Sequence, residues 1–93
     1  MTAVVGRRRK GSKPIVKLKA LRELLNVLPV DGVISYFDME QAMFSAGASL
    51  SYARVLFHEL ILAGIAKQVR PGWYLIDREK LARYIERIEG EFE

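Results

Sequence analysis

Few side chains in this sequence are equipped for chemistry, and most of what is present is positive charge. Arg7, Arg8, Arg9, Lys10, Lys13, Lys17 and Lys19 fall within the first 20 residues with no acid among them, a local charge of +7, while the remaining eight basic and eleven acidic residues sum to −3. The formal net charge of +4 therefore belongs to one segment. The chemistry open to Arg7-Arg8-Arg9-Lys10, with Lys13 behind it, is electrostatic. Such a run neutralises phosphates, each one adding to salt sensitivity, or contacts an acidic protein, or serves as a solubilising tail.

Nothing comparable assembles for catalysis. The chain has no cysteine, which excludes disulfides and thiolate metal sites, and its one histidine, His58, is too few for a metal site built on imidazoles. No glycine-rich loop opens a helix to cradle a phosphate, and most of the acids fall at expected helix caps or on the C-terminal helix, where a solvated surface accounts for them. The sequence predicts no enzyme, no metal and no cofactor, and no cluster of polar groups marks a small-molecule effector.

The elements that must position the remaining residues follow from apolar spacing. With 93 residues, 51% of them hydrophobic, the chain suits one core and one domain. Residues 1–13 have no usable periodicity and read as a flexible basic arm. From Val16 to Leu28 the residues Leu18, Leu21, Leu24, Leu25 and Leu28 form one helical stripe, which Pro29 stops and Asp31-Gly32 turns. Val33 to Phe37 reads as a short strand, running into a second helix capped by Asp38 with Gln41 three residues on. That helix carries Met39, Ala42, Met43 and Ala46 inward and ends at Gly47. Ser49 and Ser51 are candidate caps for a third helix, with Ala53, Leu56, Phe57 and Leu60 on its inner face. Ala66 to Val69 and Trp73 to Ile76 form a hairpin about Arg70-Pro71-Gly72, with Trp73 expected to pack over the third helix. Asp77 caps a last helix with a seam at Leu81, Tyr84, Ile85, Ile88 and Phe92.

Ser51-Tyr52-Ala53-Arg54-Val55-Leu56-Phe57-His58-Glu59-Leu60-Ile61-Leu62-Ala63-Gly64-Ile65 resembles the recognition-helix signature of winged helix-turn-helix domains, and Gly72-Trp73-Tyr74-Leu75-Ile76-Asp77 looks like the returning strand of the wing. The resemblance covers about residues 15 to 77 and is nearest to MarR- and PadR-like regulators and to small winged-helix proteins of archaea and their viruses. It implies a mainly α fold with a small β-hairpin in the order α-β-α-α-β-β, spanning residues 14–77, plus a C-terminal helix over 78–93. It also implies sequence-specific binding of double-stranded DNA by a transcription regulator, with the third helix, about 50–63, in the major groove.

On that resemblance, Ser51, Tyr52, Arg54, Val55 and His58 turn outward toward DNA. Arg54 would pair with a guanine edge, Val55 would touch a thymine methyl, and Ser51 and Tyr52 would reach a base or phosphate. Each is otherwise an ordinary residue of a solvated helix face. Glu59 beside His58 would repel phosphate. Gln68 and Arg70 of the wing and the arm residues Arg7, Arg8, Arg9, Lys10 and Lys13 complete the expected DNA contacts. The wing turn is short and weakly basic, so the arm takes over its usual role along the backbone or in the minor groove.

The seam Leu81, Tyr84, Ile85, Ile88 and Phe92 either closes the domain's own core or pairs with a second copy, and a homodimer on an inverted repeat is the expectation. The competing function is a winged-helix protein-interaction module in a transcription or replication assembly.

No apolar run reaches the length of a membrane span and no signal peptide is apparent, so the expected compartment is the cytoplasm, or a host's cytoplasm for a viral source. One asparagine, Asn26, two glutamines, Gln41 and Gln68, and no cysteine match the depletion of heat-labile residues in thermophiles. A thermophilic source predicts a calorimetric melting temperature above the mesophile range, and a midpoint within that range would refute it.

Overall fold

Helix α1 (Thr2–Val27) is followed by strand β1 (Val33–Ser35), helices α2 (Tyr36–Ser45) and α3 (Leu50–Leu62), strands β2 (Ala66–Arg70) and β3 (Trp73–Ile76), and helix α4 (Arg78–Glu91). The computed structural model describes the backbone of residues 2–91 and the side chains of residues 15–91. The chain is mainly helical with one three-stranded antiparallel sheet in the order β1-β3-β2, and the elements follow one another in the predicted order.

The core forms where the apolar stripes meet. Leu21 and Leu24 of α1, Met39 and Met43 of α2, Leu56 and Leu60 of α3, Ile76 of β3 and Leu81 of α4 are fully buried together, each burial stabilising by about 1.5 to 3 kcal/mol. No polar side chain is buried among the described residues. Helices α2 and α3 close alike, with the N–H of Ala48 donating to the Met43 carbonyl at 3.1 Å and that of Ile65 to the Leu60 carbonyl at 2.9 Å. Both closures tuck Ala48 and Ile65 into the core.

Four details depart from the sequence expectations. Helix α1 begins at Thr2, where a stretch without regular structure was expected over residues 1–13. Arginine and lysine are good helix formers, a property that apolar periodicity does not detect. The side chains of Arg7, Arg8, Arg9, Lys10 and Lys13, and the whole of Phe92, lie outside the described residues. Strand β1 stops at Ser35, and it is Ser35, not Asp38, that caps α2, its Oγ accepting from the Asp38 N–H at 3.1 Å. The hydroxyl at the strand's end takes an orphan N–H from the third residue of the helix, so Tyr36 and Phe37 enter the first helical turn.

Trp73 does not pack on α3. The register sets Trp73 opposite Ser35, Tyr74 opposite Ile34 and Leu75 opposite Val33, and alternation along a strand then sends Trp73 and Leu75 to one face and Tyr74 and Ile76 to the other. Tyr74 meets α3 instead, while Trp73 borders a groove of about 420 Å³ with Val27, Pro29, Ser35 and Ala42.

The α4 seam is likewise spent inside the chain. Leu81, Ile85 and Ile88 are 0%, 5% and 6% exposed within one copy, and Tyr84 is half-buried. Leu81, Ile85 and Ile88 therefore close the chain's own core and present no free surface to a second copy, which corrects the assignment of these three residues to a dimer interface. The seam runs against α1, and just past the end of that helix the carbonyls of Leu28 and Pro29 accept from the Arg78 guanidinium at 3.0 and 2.8 Å. No helix among the described residues is long and apolar enough to cross a membrane.

Two glycines test how the sheet is held. Gly32 ends the turn into β1 with φ +78°, and Gly72 occupies the hairpin turn after Pro71 with φ +79°, the backbone of a type II turn. A Cβ on Gly32 would sit 2.7 Å from the Ile76 carbonyl oxygen, whereas one on Gly72 meets nothing. Gly72→Ala is therefore expected to cost about 1 kcal/mol from φ alone and Gly32→Ala on the order of 2 kcal/mol or more, in urea denaturation. Equal losses would show that the β1–β3 ladder does not constrain Gly32.

Candidate nucleic-acid interface

Helix α3 is fixed on two flanks, and what remains between them is the candidate surface. Its N-cap is Ser49, whose Oγ accepts from the Tyr52 N–H at 3.2 Å; Ser51, the other candidate cap, is left exposed in the first turn. Arg54, Val55 and His58 are exposed with it, so four of the five residues expected to face outward do so. Val55 is 50% exposed, and Leu50, Ile61 and Leu62 add apolar surface to α3, with Leu62 at 73%. The outward-facing part of the helix is more apolar than the sequence reading anticipated.

Tyr52 is the exception. It is half-buried, and burial raises its phenol above the ordinary value, with Glu59 and Tyr84 adding to the rise and Lys17 opposing it. Its ring lines a groove of about 410 Å³ with Val16, Ala48, Ser49, Ser51 and Val55. Val16 brings α1 to the N-terminal turn of α3, and Lys13 lies three residues before it in the chain.

The first flank is a polar cluster spanning three helices. Lys17 Nζ of α1 lies 2.9 Å from Glu59 Oε1 of α3, and the Tyr84 hydroxyl of α4 donates to the same oxygen at 3.2 Å. The Lys17 ammonium also sits 5.5 Å from the centre of the Tyr84 ring, within cation–π range. Partial burial alone would lower the Lys17 pKa, but hydrogen bonding to Glu59 and Tyr84 outweighs it and holds the ammonium above its usual 10.5. Glu59, expected to repel phosphate beside His58, is thus drawn to the α1 and α4 side and paired there.

The second flank is aromatic. The rings of Phe57 on α3 and Tyr74 on β3 meet edge to face at 4.6 Å, and Tyr36 of α2 meets Phe57 the same way at 5.0 Å, the arrangement aromatic quadrupoles favour. Burial raises the Tyr36 phenol, the Glu40 carboxylate raises it further, and the Arg54 guanidinium opposes both. Arg54, an exposed residue of α3, is thus near enough to Tyr36 to act on its phenol.

The wing residues are both exposed. Ladder partners run from Gln68–Tyr74 directly to Arg70–Trp73, leaving Val69 as a bulge that adds twist to the hairpin tip. The Arg70 guanidinium stacks over the Trp73 ring at 5.0 Å, and Gln68 Nε2 donates to the Arg70 carbonyl at 3.5 Å. The Lys17–Glu59–Tyr84 cluster and the aromatic trio have no local sequence signal, because their members are dispersed along the chain. Searches against models of protein families, curated protein sequences and solved structures return no match for this chain.

The Lys17–Glu59 pair carries a pH signature. A pKa raised on folding contributes stability that is fully present below the unfolded value and is lost as pH rises through the folded one. In a double-mutant cycle of Lys17→Met and Glu59→Gln, thermal or urea unfolding is expected to give a coupling of about 0.5 to 1 kcal/mol at neutral pH. That coupling is expected to vanish at pH values above the raised lysine pKa. A coupling unchanged there would place its origin in packing and not in the ion pair.

Proposed function

We propose that the chain is a winged helix-turn-helix protein that binds double-stranded DNA through α3, most simply as a transcription regulator. The observation that carries this reading is the sign of the exposed α3 surface. The helix holds one guanidinium, Arg54, and one imidazole, His58, both outward, and its one acid, Glu59, is paired with Lys17 on the flank. A surface of that sign accepts a phosphate backbone on either side of the groove it enters.

The element order and the β1-β3-β2 sheet support the same reading, since the third helix of such a domain enters the major groove with its N-terminal residues at base edges. Arg54 supplies a two-pronged donor for guanine, worth about 1 to 3 kcal/mol of discrimination. Ser51 and Val55 are exposed beside it, and the wing offers Arg70 and Gln68. The run Arg7-Arg8-Arg9-Lys10 and Lys13 precede the turn of α1 that borders the α3 N-terminus, and supply nonspecific attraction.

A second reading has one observation in its favour. Leu50, Val55, Ile61 and Leu62 are exposed on α3, as on a surface that docks a protein. Binding to duplex DNA separates the two. Sites selected from a random duplex pool are expected to bind in a salt-sensitive manner, and Arg54→Ala is expected to lose about 5- to 150-fold on the selected site with little change on random duplex. Removing residues 1–13 is expected to weaken both equally and flatten the salt dependence. Absence of salt-sensitive duplex binding by the intact chain would leave the protein-interaction reading in its place.

A further inference from the structure

The charges of α4 are sorted by side. Lys80, Arg83 and Arg87 are spaced three and four apart and so lie along one side of the helix. Together with Tyr84 they line a groove of about 260 Å³ with Ala63 and Ile65, the residues that leave α3. Of the acids, Glu86 and Glu89 take the other side, while Glu79 and Glu91 lie one turn before Arg83 and one turn after Arg87. Glu86 lines a separate groove with Arg22, Leu25 and Asn26 of α1, and Glu89 pairs with Arg22. A sum of charges over the helix hides this row, because the four acids of α4 offset its bases in number.

From this placement we infer that Lys80, Arg83 and Arg87 form a second track for the phosphate backbone of duplex DNA, continuous with the exposed surface of α3; the inference rests on the DNA-binding reading above. Leu62, largely exposed, leads through Ala63 and Gly64 to the groove, and no acid occurs between Ala63 and Gly72. The row is about 10 Å long along the helix axis, seven steps of about 1.5 Å from Lys80 to Arg87, which matches the axial rise of roughly three phosphates of one strand.

The cations are held loosely enough to serve. Arg83 pairs with Glu79 one turn earlier, but both side chains are nearly three-quarters exposed, at 72% and 73%, and such a pair is worth little in water. Arg87 makes no ion pair among the described residues. Lys80 reaches the Gly64 carbonyl at 3.5 Å, placing its ammonium at the C-terminal end of α3, where it also offsets the helix dipole. Because Lys80 has that structural role, Arg83 and Arg87 are the cleaner probes.

The test is the salt dependence of the intact chain on a mixed-sequence duplex. Arg83→Gln with Arg87→Gln is expected to make the slope of log K against log salt shallower by about 1.8, two phosphates at about 0.9 each. Arg83→Lys with Arg87→Lys, which keeps the charge, and Glu86→Gln on the other side are both expected to retain the wild-type slope. An unchanged slope and affinity in the double glutamine variant, with the wild type still binding duplex, would overturn the α4 track and leave α3 as the DNA-binding element. A wild-type chain that binds an acidic protein but no duplex would overturn both.

Discussion

The direction in which Glu59 turns governs the rest of the α3 surface. It is the only acid on that helix, and left outward it would place a carboxylate one residue from His58. Lys17 and the Tyr84 hydroxyl meet it at 2.9 and 3.2 Å from two other helices, so one partly exposed carboxylate ties α1, α3 and α4 together and clears its charge from the exposed side. The stability of the pair is modest, as expected for groups still reached by water. Its larger effect is on orientation, because it fixes which edge of α3 faces α1 and α4.

The opposite edge is set by shape. Phe57 enters between Tyr36 and Tyr74, and rigid rings in edge-to-face contact leave a helix little freedom to roll. Tyr74 is available for this because β3 is the central strand and its alternation sends Tyr74 and Ile76 inward. A polar clamp on one side and an aromatic clamp on the other hold α3 at a fixed rotation. Ser51, Arg54, Val55 and His58 are exposed as a consequence of that rotation.

Most of this was legible where a local rule applies. Apolar spacing located the inner faces of α2 and α3, and Pro71-Gly72 marked the hairpin. Asp77 was recognised as the α4 cap, its Oδ1 accepting from the Lys80 N–H at 3.0 Å. What escaped depends on tertiary placement. Ser35 and Asp38 both fit a cap, and the length of the β1 ladder decided between them. Tyr52 and Glu59 sit at the border of the apolar stripe, where periodicity does not say which side a polar group will take; Lys17 and Tyr84 decided it. Trp73 followed strand register, and the α4 seam found α1 before any second chain. The basic row of α4 was present in the spacing of Lys80, Arg83 and Arg87, but a net count over the helix concealed it.

The burial of that seam changes how affinity and specificity must be divided on the DNA-binding reading. The exposed α3 surface offers one guanidinium, one hydroxyl, one imidazole and several apolar side chains. Direct readout at about 1 to 3 kcal/mol for each good two-pronged contact then discriminates few base pairs. A dimer would double the number read, yet the residues best suited to build one on α4 are already inside the core. Phosphate contacts from outside α3 therefore supply most of the attraction, and sequence choice depends on holding Arg54 in register with a groove that those contacts position. The two clamps on α3 serve that requirement, since a single base-reading side chain is selective only if the helix carrying it has one orientation.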